Sequence, residues 1–173
     1  IVSDIEKLKK EKNAVILAHY YVDEDVQDVA DYIGDSFYLS KVATKVSQDR
    51  IIFAGVEFMG ESAKILNPKK RVFMPDMNAD CPMAHMADKD EILALREKYD
   101  DLAVVCYINS TAELKKYSDV CVTSSNAVKI VKNLPNKNIF FIPDRNLGSY
   151  VAKQCPDKNF ILASLIGMPQ FVA

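Results

Sequence analysis

Two short polar segments, each at the end of an apolar run, carry side chains that could act on a small substrate. His19 and Tyr21 end the run NAVILAHYY, and Tyr107 and Asn109 end the run DLAVVCYIN. Histidine changes its charge near neutral pH, so His19 is suited to proton transfer or to orienting a ligand. The tyrosines are equally compatible with a packing role. These four side chains are the first candidates for a catalytic or substrate-binding site.

Two serines follow these segments at equivalent distances. Ser36 comes after Gly34-Asp35, which offers turn and N-cap chemistry for a helix, and Ser124 stands at the corresponding place further along the chain. The N–H groups at a helix N-terminus, together with a hydroxyl, can bind a carboxylate or a phosphate. Either serine is also compatible with a plain N-cap. We treat both as candidate substrate-binding residues for a small anion.

Cys81 has three interpretations. It lies in a loop, with Pro82 behind it and His85 four residues on. With His85 it could form half of a zinc site, but no second Cys/His pair completes the tetrahedron. It could instead be one thiolate of an iron–sulfur cluster whose other ligands come from elsewhere. The third interpretation is a thiol without a ligand.

The other three cysteines show neither CxxC spacing nor the density of a disulfide scaffold. Cys106 and Cys121 lie inside the apolar runs AVVCYI and DVCVTS, which predicts buried structural thiols. Cys155 lies in a predicted helix-to-strand connection, and we do not assign it a ligand role.

The elements that must position these residues occur twice. A shift of 88 residues brings the two halves into register without a gap, placing NAVILAHYY on DLAVVCYIN and RIIFAGVEFMG on NIFFIPDRNLG. Few identities survive, among them Asp31 with Asp119 and Ser36 with Ser124. The apolar pattern survives better, and this pattern specifies the layers of a fold.

The predicted strands of each half are short, continuous apolar runs that alternate with helical segments. This pattern is typical of parallel βαβ units whose sheets are covered on both faces. In the first half it predicts helices over 3–12, 24–30, 36–47 and 57–66 and strands over 14–18, 31–34, 51–54 and 71–74. We therefore predict an α/β protein of two repeated three-layer α/β/α domains, residues 1–86 and 87–173, each with a short parallel sheet.

Bulk composition excludes several classes of function. The chain has 173 residues, 22 basic and 24 acidic, and no cluster of basic residues that would attract nucleic acid. Its apolar runs are too short to cross a bilayer, and its polar beginning does not resemble a signal peptide. We expect a cytoplasmic protein with no nucleic-acid or membrane partner.

Several long phrases resemble quinolinate synthase. ILAHYY, VQDVADYIGDSFYLSK and IIFAGVEFMGESAKILNPKKRVFMPDMNADCPMA are similar to the first domain of that family. YINSTAELKKYSDVCVTSSNAV and FFIPDRNLGSYVA are similar to its second domain. The resemblance covers residues 1 to about 160 and agrees with the internal repeat, since the family has three related α/β domains in pseudo-threefold arrangement. The third domain is not recognisable here.

The resemblance implies an activity, a cofactor and roles for the candidate residues. The family condenses iminoaspartate with dihydroxyacetone phosphate to quinolinate in NAD biosynthesis, and L-aspartate oxidase is the expected upstream supplier. A [4Fe-4S] cluster held by three cysteines acts as the Lewis acid for dehydration. Cys81 matches the first cluster ligand, and His19 and Tyr21 match the residues that handle the substrate. The residues that match those holding phosphate and carboxylate groups are Ser36, Tyr107, Asn109 and Ser124.

One part of the pattern is missing. A second cluster cysteine is expected soon after the strand at 159–163, and the repeat places it at position 169, where the sequence has Pro169. Three explanations are open: a truncated form of a longer enzyme, a cluster-free relative that binds a small anion, or a homodimer that shares two Cys81 thiolates. We favour truncation.

We therefore expect the isolated chain to be catalytically impaired. The alternative is a non-catalytic two-domain module that binds a small phosphorylated or dicarboxylate metabolite. It predicts stabilisation by such a ligand without any need for iron.

Overall fold

The computed structural model describes residues 1–163 and divides the chain into two compact units, Ile1–Asp80 and Cys81–Ala173. The predicted division into domains after residue 86 stays a prediction. Across residues 1–163, no helix is both long and apolar enough to pass through a bilayer.

The first unit is a four-stranded parallel sheet with helices between its strands. The sheet order is β2-β1-β3-β4, so the first strand lies inside the sheet and the second at its edge. The elements, in chain order, are α1 (Val2–Glu11), β1 (Ala14–His19), α2 (Glu24–Gln27), β2 (Tyr32–Gly34), α3 (Ser36–Lys45), β3 (Arg50–Ala54), α4 (Glu57–Leu66) and β4 (Arg71–Phe73).

The second unit repeats this plan with the sheet order β6-β5-β7-β8, again parallel throughout. A 3₁₀ turn (Pro82–His85) precedes its first helix. The elements that follow are α5 (Lys89–Lys98), β5 (Leu102–Tyr107), α6 (Ala112–Lys116), β6 (Val120–Val122), α7 (Ala127–Asn133), β7 (Asn138–Ile142), α8 (Arg145–Gln154) and β8 (Asn159–Leu162).

The strand register confirms the predicted repeat and the α/β fold class. Leu17 is paired with Tyr32 between β1 and β2, and Val105 is paired with Val120 between β5 and β6. Each residue of the second pair lies 88 positions after the corresponding residue of the first pair. The same displacement relates every other strand pair of the two sheets. The two units therefore share one backbone plan.

Apolar side chains cover both faces of the second sheet, which explains why its strands are continuous apolar runs. Successive residues of a strand point to opposite faces. Val105 of β5 packs in a core with Val131 of α7 and Val151 of α8. Its neighbour Val104 packs in another core with Ile92 of α5. The sheet therefore forms the middle layer of three.

The prediction of two buried structural thiols holds for one residue and is wrong for the other. Cys106 is buried in the inner strand β5, whereas Cys121 is exposed. The reason is topological: β6 is the edge strand of its sheet, so one side of it has no neighbouring strand. An apolar run alone does not distinguish an edge strand from an inner one.

Candidate functional site

His19 ends the inner strand β1, opposite Gly34 at the end of β2. Its side chain is half-buried, and the next two residues turn the chain outward, with Tyr21 82% exposed. The turn is held by the Val22 N–H, which donates to the His19 carbonyl over 3.0 Å. His19 thus lies at the carboxyl edge of a parallel sheet, where ligands of such folds bind.

Three adjacent rings form a cluster at this strand end. The His19 ring stacks on Tyr20 with centroids 4.5 Å apart, and Tyr21 meets His19 edge-on at 4.6 Å. The two tyrosine rings also meet edge-on at 4.6 Å. A hydrogen bond with Tyr21 raises the pKa of the Tyr20 phenol. Sequence reasoning missed Tyr20, although its position between two candidates was a usable signal.

The protonation of His19 follows from its contacts. The Tyr21 N–H donates to His19 Nδ1 over 3.2 Å, so this nitrogen is an acceptor and the neutral ring carries its proton on Nε2. Burial lowers the pKa of His19 below its ordinary value, and the nearby Asp35 carboxylate opposes that shift. A neutral imidazole with an Nε2–H donor is therefore favoured at neutral pH.

Ser36 is the first residue of α3, and Asp35 is the N-cap. The Asp35 carboxylate accepts from the Tyr38 N–H over 2.7 Å, so the N-cap role that the sequence left open for Ser36 belongs to Asp35. Asp35 is the better cap because its carboxylate both accepts a hydrogen bond and complements the helix dipole. Ser36 is half-buried beside this carboxylate. The helix end is thus less attractive to anions than the sequence suggested.

In the second unit, Tyr107 ends β5 and Asn109 follows two residues later, both half-buried. The Ile108 N–H donates to the Val122 carbonyl over 2.8 Å, which continues the β5–β6 pairing past the strand end. The hydroxyl of Ser110, which is fully buried, donates to the Tyr107 carbonyl over 2.9 Å. Sequence reasoning missed Ser110, because this contact depends on how the chain turns after the strand.

Ser124 lies in a turn and not in a helix. Asn126 Oδ1 accepts from the Thr123 N–H over 2.7 Å, and the Thr123 and Ser125 hydroxyls are 2.9 Å apart. These bonds fold residues 123–126 into a turn, and α7 begins only at Ala127. The prediction that Ser124 stands at a helix N-terminus, as Ser36 does, is therefore wrong. Ser124 is exposed on this turn.

Cys81 precedes the 3₁₀ turn and is half-buried, while His85 ends the turn and is exposed. The Ala84 N–H donates to the Cys81 carbonyl over 2.8 Å. Within residues 1–163, no three His, Cys, Asp or Glu side chains lie together as a metal site requires. The described residues therefore do not form a complete zinc or cluster site, and position 169 lies outside them.

Each unit gathers its own candidates at one sheet edge. His19, Tyr21 and Ser36 follow β1 and β2 in the first unit, and the equivalent residues of the second unit follow β5 and β6. A groove of about 520 Å³ occurs elsewhere in the first unit, between α1 and the sheet. Leu8, Ala14, Ile52 and Phe73 are among the residues that line it.

Comparisons with known proteins give a consistent result. The family model described as "Quinolinate synthetase A protein" matches residues 3–167. A quinolinate synthase of Fusobacterium nucleatum subsp. nucleatum is 67% identical over 158 residues, 91% of this chain and 53% of that protein. Those of Caldicellulosiruptor saccharolyticus and Clostridioides difficile are each 55% identical, over 94% and 91% of this chain and 54% and 52% of theirs. The chain spans about half the length of these curated relatives.

Proposed function

The chain belongs to the quinolinate synthase family, and we propose that it carries substrate-handling residues of an enzyme that makes quinolinate from iminoaspartate and dihydroxyacetone phosphate. L-aspartate oxidase is the proposed supplier of iminoaspartate, and the cytoplasm is the proposed location. The observation that carries the proposal is the His19 and Tyr21 arrangement at the carboxyl edge of the first sheet.

In this proposal His19 acts first as a hydrogen-bond donor. Its Nδ1 is occupied by the Tyr21 N–H, so Nε2–H is the atom that can donate to a carbonyl or hydroxyl oxygen of the substrate. The lowered pKa of His19 keeps the ring neutral, so Nε2–H acts as a neutral hydrogen-bond donor to the substrate oxygen rather than as a cationic acid. Tyr21, which is exposed beside it, supplies a phenolic hydroxyl to the same substrate.

Ser36, Tyr107, Asn109 and Ser124 are proposed to bind the phosphate and carboxylate groups of the substrates. Hydroxyl and amide N–H groups donate to such oxygens, and the half-buried positions of Tyr107 and Asn109 strengthen those hydrogen bonds. The exposed Ser124 is expected to contribute less than Tyr107 or Asn109. The Asp35 carboxylate beside Ser36 repels anions, so we expect Ser36 to bind through its hydroxyl rather than through the helix dipole.

Cys81 is proposed to supply one thiolate to a [4Fe-4S] cluster, which provides Lewis-acid chemistry when it is bound. The described residues do not fit the whole cluster, since they offer Cys81 without two further grouped ligands. We therefore derive no reaction step through the cluster. The proposal is that this chain by itself is impaired in quinolinate synthesis.

The first test is iron and sulfide content after anaerobic reconstitution of the chain, with Cys81→Ser compared with Cys155→Ser. We expect little stable iron in any of these proteins. About four irons per chain, lost only in Cys81→Ser, would contradict the impairment proposal, because it would require ligands that the described residues do not show. Quinolinate formation that depends on Cys81 would contradict it as well.

The second test is a thermal shift with dihydroxyacetone phosphate. We expect stabilisation of the chain that is reduced in His19→Gln and Ser36→Ala and retained in Ser149→Ala, a helix serine that bonds the Arg145 carbonyl. Absence of stabilisation would contradict the substrate-binding roles.

A further inference from the structure

Cys106 and Cys121 face each other across neighbouring strands of the second unit. They are paired residues in the register of β5 and β6. Neighbouring strands lie about 4.8 Å apart, and Cα separations of about 4.4 to 6.8 Å accommodate a disulfide. The backbone thus places this pair where an S–S bond can form without moving either strand far.

The two thiols also interact directly, and the interaction favours the thiolate form of Cys106. A hydrogen bond between them lowers the pKa of the Cys106 thiol to about 7 and raises the pKa of Cys121. Ser110 adds to this effect, since its Oγ lies 2.8 Å from Cys106 Sγ. The Lys115 ammonium lowers the pKa of both thiols. Cys106 therefore loses its proton more easily than an isolated thiol, Cys121 keeps its own proton, and thiolate is the reactive form.

The two sulfurs differ in access. Cys106 is buried under α5, whereas Cys121 lies exposed on the edge strand. A small oxidant in solution therefore approaches the pair from the side of Cys121. The Cys106 thiolate is the reactive sulfur of the pair, and Cys121, which is paired with it in the strand register, is the resolving thiol.

We propose that Cys106 and Cys121 form a reversible disulfide when the protein meets a hydroperoxide. The Cys106 thiolate attacks one oxygen of hydrogen peroxide, breaks the O–O bond and becomes a sulfenic acid, while the leaving hydroxide takes up the Cys121 thiol proton to become water. The Cys121 thiolate then attacks the Cys106 sulfur, forms the S–S bond and displaces the sulfenic oxygen as hydroxide, which takes up a proton from solvent to become water. Two thiols are oxidised by two electrons and one hydroperoxide is reduced.

The bond is coupled to the strand end that carries Tyr107 and Asn109. In the reduced protein Ser110 Oγ contacts the Cys106 sulfur and donates to the Tyr107 carbonyl. Disulfide formation removes the thiol proton and redirects the Cys106 sulfur toward Cys121, so the Ser110 contact changes. We expect the rate of amide hydrogen exchange at residues 107–110 to change after oxidation. Unchanged exchange there in a fully oxidised sample would overturn this coupling but not the disulfide itself.

The disulfide is tested by peptide mapping, because trypsin separates the four cysteines. Cleavage after lysine and arginine places Cys106 in peptide 99–115 and Cys121 in peptide 117–129. After treatment of the native chain with a small excess of hydrogen peroxide and blocking of remaining thiols, we expect most of both peptides to appear as one linked species. Dithiothreitol should release them. This result does not depend on the proposed activity.

Two cysteine variants and oxidation in urea test whether the native strand register selects this pair of cysteines. Cys121→Ser should abolish the linked species, whereas Cys155→Ser, at a cysteine outside the pair, should leave it unchanged. The same oxidation in urea should give a mixture of pairings, because the register that selects the pair is lost. Native chains in which Cys121 is oxidised to sulfinic acid while Cys106 stays a thiol would overturn the proposal. Linkage of either residue to Cys81 or Cys155 in comparable amount would overturn it as well.

Discussion

The two units hold their sheets through the same polar ties, which are hydrogen bonds from one side chain to the backbone of a neighbouring element. Few of the residues of the two units are identical. Asp31 accepts from the Ile16 N–H over 2.8 Å and donates its own N–H to the Ile16 carbonyl over 2.9 Å. Asp119 does the same with Val104, over 2.7 and 2.9 Å. In each unit this aspartate fixes the segment that leads into the edge strand against the inner strand.

A second tie is also repeated. Lys70 Nζ donates to the carbonyls of Ala43 and Val46, which end α3, over 2.7 and 2.6 Å. Lys158 Nζ donates to the carbonyls of Leu134 and Asn136 after α7, over 2.7 and 2.8 Å. The lysines join a helix C-terminus to the turn before the last strand in both units. They satisfy carbonyls that a helix end leaves unpaired.

The units differ in how their apolar layers are filled. Where the second unit has Leu102 and the fully buried Phe140, the first has Ala14 and Ile52, which line the open groove beneath α1. Register and polar ties are thus kept while the volume of apolar side chains varies. The comparison indicates that the strand register tolerates this difference in apolar side-chain volume.

The largest effect is expected from the aspartate ties. Replacing Asp31 or Asp119 by alanine leaves a strand N–H without its acceptor, and we expect each change to lower the free energy of unfolding by about 1.5–3 kcal/mol. Urea denaturation measures this. The asparagine variants, which retain an acceptor oxygen, should lose clearly less. If only one of the two alanine variants lost stability, the two aspartates would not be equivalent, and the comparison between the units would be wrong.

A glycine in each unit tests the packing difference. A Cβ added at Gly148 would lie 2.7 Å from Leu162 Cδ2 and 3.0 Å from the buried Phe141 ring, whereas at Gly60 it would meet the side chain of Met74. We expect Gly148→Ala to lower the free energy of unfolding by about 1–2 kcal/mol, since the ring cannot move away. Gly60→Ala should be nearly neutral, because methionine adapts and alanine favours helix. Equal losses would contradict this difference.

Filling the groove is expected to have a smaller, stabilising effect. Ala14→Leu copies Leu102 of the second unit into the first, and we expect it to raise the free energy of unfolding by about 1 kcal/mol through added apolar burial. Ala14→Ser is the matched control and should give no gain. Destabilisation by leucine, with a shift of the α1 resonances in NMR spectra, would show that the groove is closed in solution.

The last prediction concerns His19, which has no histidine counterpart in the second unit. Its pKa should be lower in the native chain than in urea, as measured by NMR titration of the ring protons. Native stability should therefore fall as pH decreases from the unfolded value, about 6.5, through the native pKa. His85→Gln assigns the two histidine signals. Asp35→Asn should lower the pKa of His19 further, since the Asp35 carboxylate opposes the shift.

Local sequence patterns predicted where several of the candidate residues lie in the fold. The apolar runs end where the strands end, so the sequence alone indicates that His19 and Tyr107 lie at sheet edges. The helix-start pattern predicted the first residue of α3, but not which side chain caps it. Asp35 and Ser36 are both capping residues, and only the backbone angles decide between them. Ser124 was misplaced because the Asn126 hydrogen bond delays α7.

By itself, the sequence determined the α/β class, the element order and the repeat, because these follow from the spacing of apolar residues along the chain. Only the tertiary structure decided which strands lie at the edge, where a groove remains, and which side chains meet across strands. Cys106 and Cys121 illustrate the limit: both lie in apolar runs, yet one is buried and the other exposed, and they are neighbours. Strand order and side-chain volume set those contacts, and neither can be read from local periodicity.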